Sequence, residues 1–116
     1  MAKVLDIPNK DARKLWLASH GLSTPPTGQL DVMKIIHDLG FVQLDTIQII
    51  SRAHHHILWS RNQNYREDMF DPLLAKDCAV FEHYTHDASI IPMDTLPYWR
   101  RQFARKRVEV SKWFKS

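Results

Sequence analysis

The 116-residue sequence predicts a mainly α, α+β fold in which one short strand and a later hairpin build a small three-stranded sheet. Three observations carry that prediction. Apolar residues recur at helical spacing in several segments of the first 75 positions. One run, VQLDTIQII (42–50), instead alternates apolar and polar residues, the period of a strand. From Ala79 the texture turns β-branched and aromatic, in AVFEHYTHDASIIP (79–92).

Asn9 or Asp11 is positioned to cap a first helix over 11–20, with Leu15, Trp16 and Leu17 inward and Gly21 ending it. LSTPPTGQ reads as a loop, because Pro25 and Pro26 lack the N–H a helix needs. A second helix over 29–38 places Leu30, Met33, Ile36 and His37 at helical spacing, and Gly40 stops it. The strand follows at 41–47. SRAHHHILWSR predicts a third helix with Ile57 and Leu58 inward, and EDMFDPLLAKD a short fourth whose start is limited by Pro72. Strands at 80–84 and 87–91 with a tight turn near 85–87 make a hairpin, and Asp94 is placed to cap a helix over 95–114. This order is that of a winged helix-turn-helix over 1–93 with a long C-terminal helix, in which the lone strand pairs with the hairpin. Residues 94–116 form a basic helix that opens a further segment. No internal repeat or low-complexity tract is present.

Composition narrows the function. Forty-four per cent apolar and 25% charged residues suit a folded, soluble domain. No apolar run approaches the roughly 18 residues a membrane span needs, and the N-terminus lacks the apolar stretch of a signal peptide. The single cysteine, Cys78, cannot close an internal disulfide, which suits a reducing cytoplasm; a packing role is expected for it. Net charge is +3 but uneven. Residues 94–116 carry seven Lys or Arg against two acidic groups, whereas the other 93 carry nine against eleven. A basic C-terminal helix on a near-neutral body points to a polyanion.

The strand raises the main chemical question. Gln43 and Asp45 stand two apart, on one face of a strand, with Cα atoms roughly 6.5–7 Å apart. Two polar heads at that spacing can hold one water. In the other reading, Asp45 caps the next helix and Gln43 bonds a loop. His54, His55 and His56 are consecutive and diverge by roughly 100° each on a helix, so they cannot share one metal ion. His83 and His86 flank the hairpin turn and converge only if that turn is tight. No metal site and no cofactor is expected; hydrogen bonds or phosphate contacts suit these histidines better. Arg52 and Arg61 bracket the histidines, with Trp59 and Tyr65 close by, a mixture suited to phosphate binding and stacking or to surface salt bridges around a buried Trp.

The run GFVQLDTIQIISRAHHHILWSRNQNY (Gly40–Tyr65) resembles the YcaQ/AlkZ family of bacterial DNA glycosylases, which act on bulky N-alkylated purines and interstrand crosslinks. The shared features are Gln43-Leu44-Asp45, the Asp form of the family's Gln–apolar–Asp or Gln–apolar–Gln signature, then Thr46-Ile47, Arg52, Ser60-Arg61 and Asn64-Tyr65. DARKLWLASHGL (Asp11–Leu22) and EHYTHDASIIP (Glu82–Pro92) are similar too, in the same order. The resemblance implies tandem winged-helix units wrapped on DNA, of which this sequence is expected to be the N-terminal part. It ends at KWFKS inside an expected helix, and further DNA-binding surface should follow.

The chemistry so implied is hydrolysis of the N-glycosidic bond of N7-alkylated guanine, with Gln43 and Asp45 as the catalytic pair. Alkylation already places positive charge on the leaving base, so no strong general acid is needed. What remains is an oxocarbenium-like sugar that needs negative charge and a water that needs a base. Asp45 can supply both, and Gln43 can hold the water. Arg52, His54, His55, Arg61, Arg100, Arg101 and Arg105 are the expected DNA contacts, as inferred from charge. The expected partner is double-stranded DNA carrying alkylated purines, met without a membrane by a protein that is monomeric at full length, in the cytoplasm at the nucleoid. Two rivals remain. One is a non-catalytic winged-helix regulator, which shares fold and basic helix but has no use for a Gln–Asp pair on a strand. The other is a metal hydrolase built on His83 and His86.

Overall fold

The computed structural model describes residues 4–114. Its elements run α1 (Asn9–Ser19), α2 (Val32–Leu39), β1 (Val42–Gln43), α3 (Ala53–Trp59), α4 (Asp71–Ala75), β2 (Val80–Tyr84), β3 (Ala88–Pro92) and α5 (Leu96–Trp113). Five helices and one antiparallel sheet of order β1-β3-β2 make the mainly α, α+β class that the sequence predicts.

Helix α2 shows how local chemistry sets a boundary. The Asp31 carboxylate accepts the Lys34 N–H at 2.9 Å, which starts the helix at Val32 instead of Gln29. Gly40, at φ +83°, closes it and returns its N–H to Ile36 and His37. Ile36 is fully buried, while His37 is exposed and faces Asp94 at 3.5 Å. That contact takes Asp94 away from its expected capping role. Helix α5 starts instead after a 3-10 turn over Met93–Thr95 and has no side-chain cap.

Helix α1 departs further from expectation. Neither Asn9 nor Asp11 caps it: Pro8 precedes it, and the Pro8 carbonyl accepts the Asp11 and Ala12 N–H groups. Leu15 and Trp16 are exposed rather than inward. Trp16 stacks on His20 with ring centroids 4.1 Å apart. Cys78 is likewise exposed, not packed, and sits at φ +48° in the turn between α4 and β2. Trp59, which one of the two readings of its cluster buries, is half exposed.

The sheet has two covered faces. Val42 pairs with Ile90 and Gln43 with Ser89, while β2 pairs with β3 from Val80↔Pro92 to Tyr84↔Ala88. Val42, Ile90 and Val80 join Ile36, Leu58, Tyr65, Phe70 and Leu73 in the core. On the opposite face Phe81 and His83 meet Trp99 and Phe103 of α5, His83 stacking on Phe103 at 4.8 Å. Central β3 is therefore buried from Ser89 to Pro92. Phe103 keeps α5 on the sheet at 36% exposure, and residues 104–114 beyond it are all exposed. The radius of gyration, 17.8 Å, exceeds the roughly 13 Å of a compact domain of about 100 residues for that reason.

Candidate functional site

Strand β1 is much shorter than the 41–47 expected. Its partner β3 begins only at Ala88, after the hairpin turn, so Leu44 N–H to the Ala88 carbonyl (2.8 Å) is the last rung. With no strand beside it, the chain turns, and the Asp45 carboxylate accepts the Ile47 N–H at 2.8 Å. Ile47, Ile49 and Ile50 are exposed in the loop that follows, Ile49 at 91%.

That turn separates the two residues the alternation placed together. Gln43 lies in one row with Ser89 and His83. Its amide joins the hairpin turn, Nε2 donating to Asp87 Oδ2 (3.3 Å) and Oε1 pairing with His86 Nε2 (3.1 Å). Asp45 instead lines a cleft of about 670 Å³ together with Leu44, Arg52, His54, Glu67 and Glu82. Pleat alternation ends where the strand ends, so the shared-face expectation is corrected: Gln43 holds a loop and Asp45 borders a cavity. Asp45 caps the turn at Ile47 and not helix α3. Its second oxygen has no hydrogen-bond partner among the described residues.

The histidines of α3 diverge as their spacing requires. His54 is 2% exposed, and Asp45 N–H points at its Nδ1 over a long 3.5 Å. Burial pushes its pKa down to about 4, aided by neighbouring His55 and Arg52. The ring expected to meet DNA is thus buried, with its Nδ1 turned to the Asp45 backbone. His55 Nδ1 bonds the Tyr65 hydroxyl at 2.8 Å, and its Nε2 faces Glu67 at 3.9 Å. The Ser51 hydroxyl donates to Glu67 and holds that carboxyl below the usual carboxylate range. Burial pushes the Tyr65 phenol well above its ordinary value.

The arginines divide. Arg52 is exposed at the start of α3 and lines the Asp45 cleft. Arg61 is committed inside the fold: Nε donates to the His20 carbonyl and Nη1 to the Ile57 carbonyl, both at 2.8 Å. It ties the end of α1 to the end of α3. Asn62 and Asn64 continue the tie by bonding the Gly28 carbonyl, so the SRNQNY stretch works here as scaffold. Arg100 and Arg101 project from α5 without an ion pair among the described residues, whereas Arg105 approaches Glu109 at 3.8 Å. Among the described residues no group of three or more His, Cys, Asp or Glu is arranged to hold a metal ion. Sequence reasoning missed Glu67 and Ser51, since nothing in REDMF signals that Glu67 folds back beside His55.

A family model described as DNA glycosylase AlkZ-like matches residues 36–115, most of the chain. The chain belongs to the AlkZ-like DNA glycosylase family. No solved structure matches it. The matched segment starts inside α2 and takes in β1, the Asp45 cleft, the hairpin and α5. For an AlkZ-like glycosylase the general function is DNA repair and the substrate is DNA, which agrees with the resemblance carried by Gly40–Tyr65.

Proposed function

We propose that this AlkZ-like protein hydrolyses the N-glycosidic bond of N7-alkylated guanines in double-stranded DNA, interstrand crosslinks included, with Asp45 as the charged catalytic group. The observation that carries this is the placement of Asp45. One oxygen is anchored by the Ile47 N–H, the other has no hydrogen-bond partner among the described residues, and the side chain borders a cleft of about 670 Å³. A carboxylate held in that way can face an oxocarbenium-like sugar and take a proton from the attacking water. The alkylated base leaves as a neutral molecule once the bond breaks, because it was cationic before.

Gln43 acts at a distance from it as a positioning residue, fixing the hairpin turn through His86 and Asp87. Arg52, Arg100 and Arg101 are the phosphate contacts in this proposal, since all three are exposed. The unit over 1–93 serves as a winged helix-turn-helix and the basic segment 94–116 as an arm on DNA. A single cysteine and a basic helix are consistent with a monomer acting on DNA in the cytoplasm, at the nucleoid.

The test is direct. Duplex DNA bearing N7-methylguanine is incubated with the protein in excess, and released base is followed by chromatography. Single-exponential release of N7-methylguanine, leaving an abasic site, is expected. Binding of that duplex without release of any base would leave the chain a DNA-binding module.

A further inference from the structure

A second cavity, of about 360 Å³, lies beside the Asp45 cleft and shares His55 and Glu67 with it. Its other walls are Ser51, His56, Trp59, Tyr65 and Arg66. The volume falls within the roughly 300–1,000 Å³ of small-molecule sites. Two features give it a chemical preference. Trp59 ends α3 half exposed and lines the cavity, so its indole is accessible to a planar ligand. Glu67 is 60% exposed at its side chain, and the Ser51 hydroxyl occupies one of its oxygens. The other, Oε2, faces His55 at 3.9 Å.

We infer that this cavity is the recognition pocket for the cationic purine itself, with Trp59 stacking on the base and Glu67 accepting from its Watson–Crick edge. This rests on the glycosylase reading and deepens it, by naming the residues that tell an alkylated guanine from an ordinary one. An N7-alkylguanine carries positive charge in its five-membered ring. A cation over an indole face gains roughly 0.5–2 kcal/mol, which neutral guanine does not. The N1–H and 2-amino groups of guanine present two adjacent donors, and Glu67 Oε2, the oxygen that Ser51 leaves open, can accept from this edge. Arg66 is the opposing charge in the wall. Its Nη1 is drawn to the Gln63 and Tyr65 carbonyls, at 2.8 and 2.7 Å, and so is turned to the backbone. Because the two cavities share His55 and Glu67, the base of a monoadduct drawn out of the stack into this pocket would lie next to the cleft that Asp45 lines.

The proposal is tested with nucleosides, which require no bond cleavage. Equilibrium binding of N7-methylguanosine and of guanosine is measured for the protein and for Trp59→Leu, Trp59→Phe and Glu67→Gln, each checked for a cooperative melt. The protein should prefer N7-methylguanosine by roughly tenfold, as about 1.4 kcal/mol of cation–π attraction requires. Trp59→Leu should abolish that preference and Trp59→Phe should retain part of it. Glu67→Gln should weaken binding of both nucleosides, the methylated one more. Equal affinity for the two, binding of neither, or a preference unchanged in Trp59→Leu overturns the pocket. Base excision from DNA without a nucleoside preference would refute this pocket alone. A nucleoside preference without excision would refute the glycosylase reading and leave a binding site.

Discussion

His55 Nδ1 and the Tyr65 hydroxyl are joined by a 2.8 Å hydrogen bond that fixes the ring standing between the two cavities. Tyr65 is nearly completely buried, and no other hydrogen bond of its hydroxyl is present among the described residues. Tyr65→Phe keeps the packing and deletes the bond. Stability should fall by about 0.5–1.5 kcal/mol, the usual net worth of one such bond. Urea unfolding should show the midpoint moving at constant slope; an unmoved midpoint would mean the bond contributes nothing.

Arg61 should prove structural. Arg61→Ala removes the guanidinium bond to the His20 carbonyl and one of the two side-chain donors to the Ile57 carbonyl, which keeps the Ser60 hydroxyl, and frees α1, whose own apolar residues are largely exposed. A loss of about 1.5–3 kcal/mol is expected, in the range for hydrogen bonds to a charged group. DNA affinity per folded molecule should stay the same. A salt slope reduced by about 0.9 would show that Arg61 meets a phosphate after all.

His54 predicts a pH dependence with a definite sign. Its folded pKa, about 4, lies below the ordinary 6.5, so the unfolded chain binds the proton more readily between those values. Stability is therefore unaffected by this group above about 6.5 and declines as pH falls toward 4, by at most about 1.4 kcal/mol per pH unit. The facing groups are His55, Arg52, Glu67 and Asp45, of which the acids soften the effect. His54→Gln should flatten the stability–pH curve in that window. Denaturation titrations of both proteins across it decide the matter, and parallel curves would contradict the assignment.

The helical and hairpin elements were readable in the sequence because each carries a local signal. Gly40 closes α2, Pro72 opens α4, and the β-branched run 88–92 marks the central strand. The lone strand was readable in its pairing but not in its length. Alternation continues to Ile47, yet the length is set by where β3 begins, at Ala88, 44 positions beyond Leu44. The separation of Gln43 from Asp45 follows from that and has no local signature. Asp45 itself was legible as an unusual carboxylate on an apolar strand. Arg61 was not legible as a tie, because charge alone does not distinguish a phosphate contact from a carbonyl clamp.

Helix α5 should dominate the ionic part of DNA binding. Arg100→Gln and Arg101→Gln should each lower the slope of log affinity against log salt by about 0.9. Arg105→Gln should change it less, since Glu109 already competes for that guanidinium at 3.8 Å. Fluorescence anisotropy with duplex DNA over a salt series measures all three. Equal slopes for protein and variants would remove α5 from the interface.

The central claim is that Asp45 acts by its charge. Asp45→Asn keeps the volume and an oxygen for the Ile47 N–H, and removes the negative charge facing the cleft. Single-turnover excision of N7-methylguanine should fall by on the order of 10²–10⁴, the usual worth of one placed acid–base group, with DNA affinity unchanged or slightly higher. Gln43→Ala should cost less, since a neutral positioning residue is partly replaced by water. If Asp45 served only its turn, Asp45→Asn would cost about 0.5–2 kcal/mol at most in stability, and excision would track the folded fraction. The deciding measurement is the excision rate per folded Asp45→Asn molecule, with melting recorded on the same sample. A fall of at least about a hundredfold is the predicted result; a rate near that of the unaltered protein would contradict the catalytic assignment.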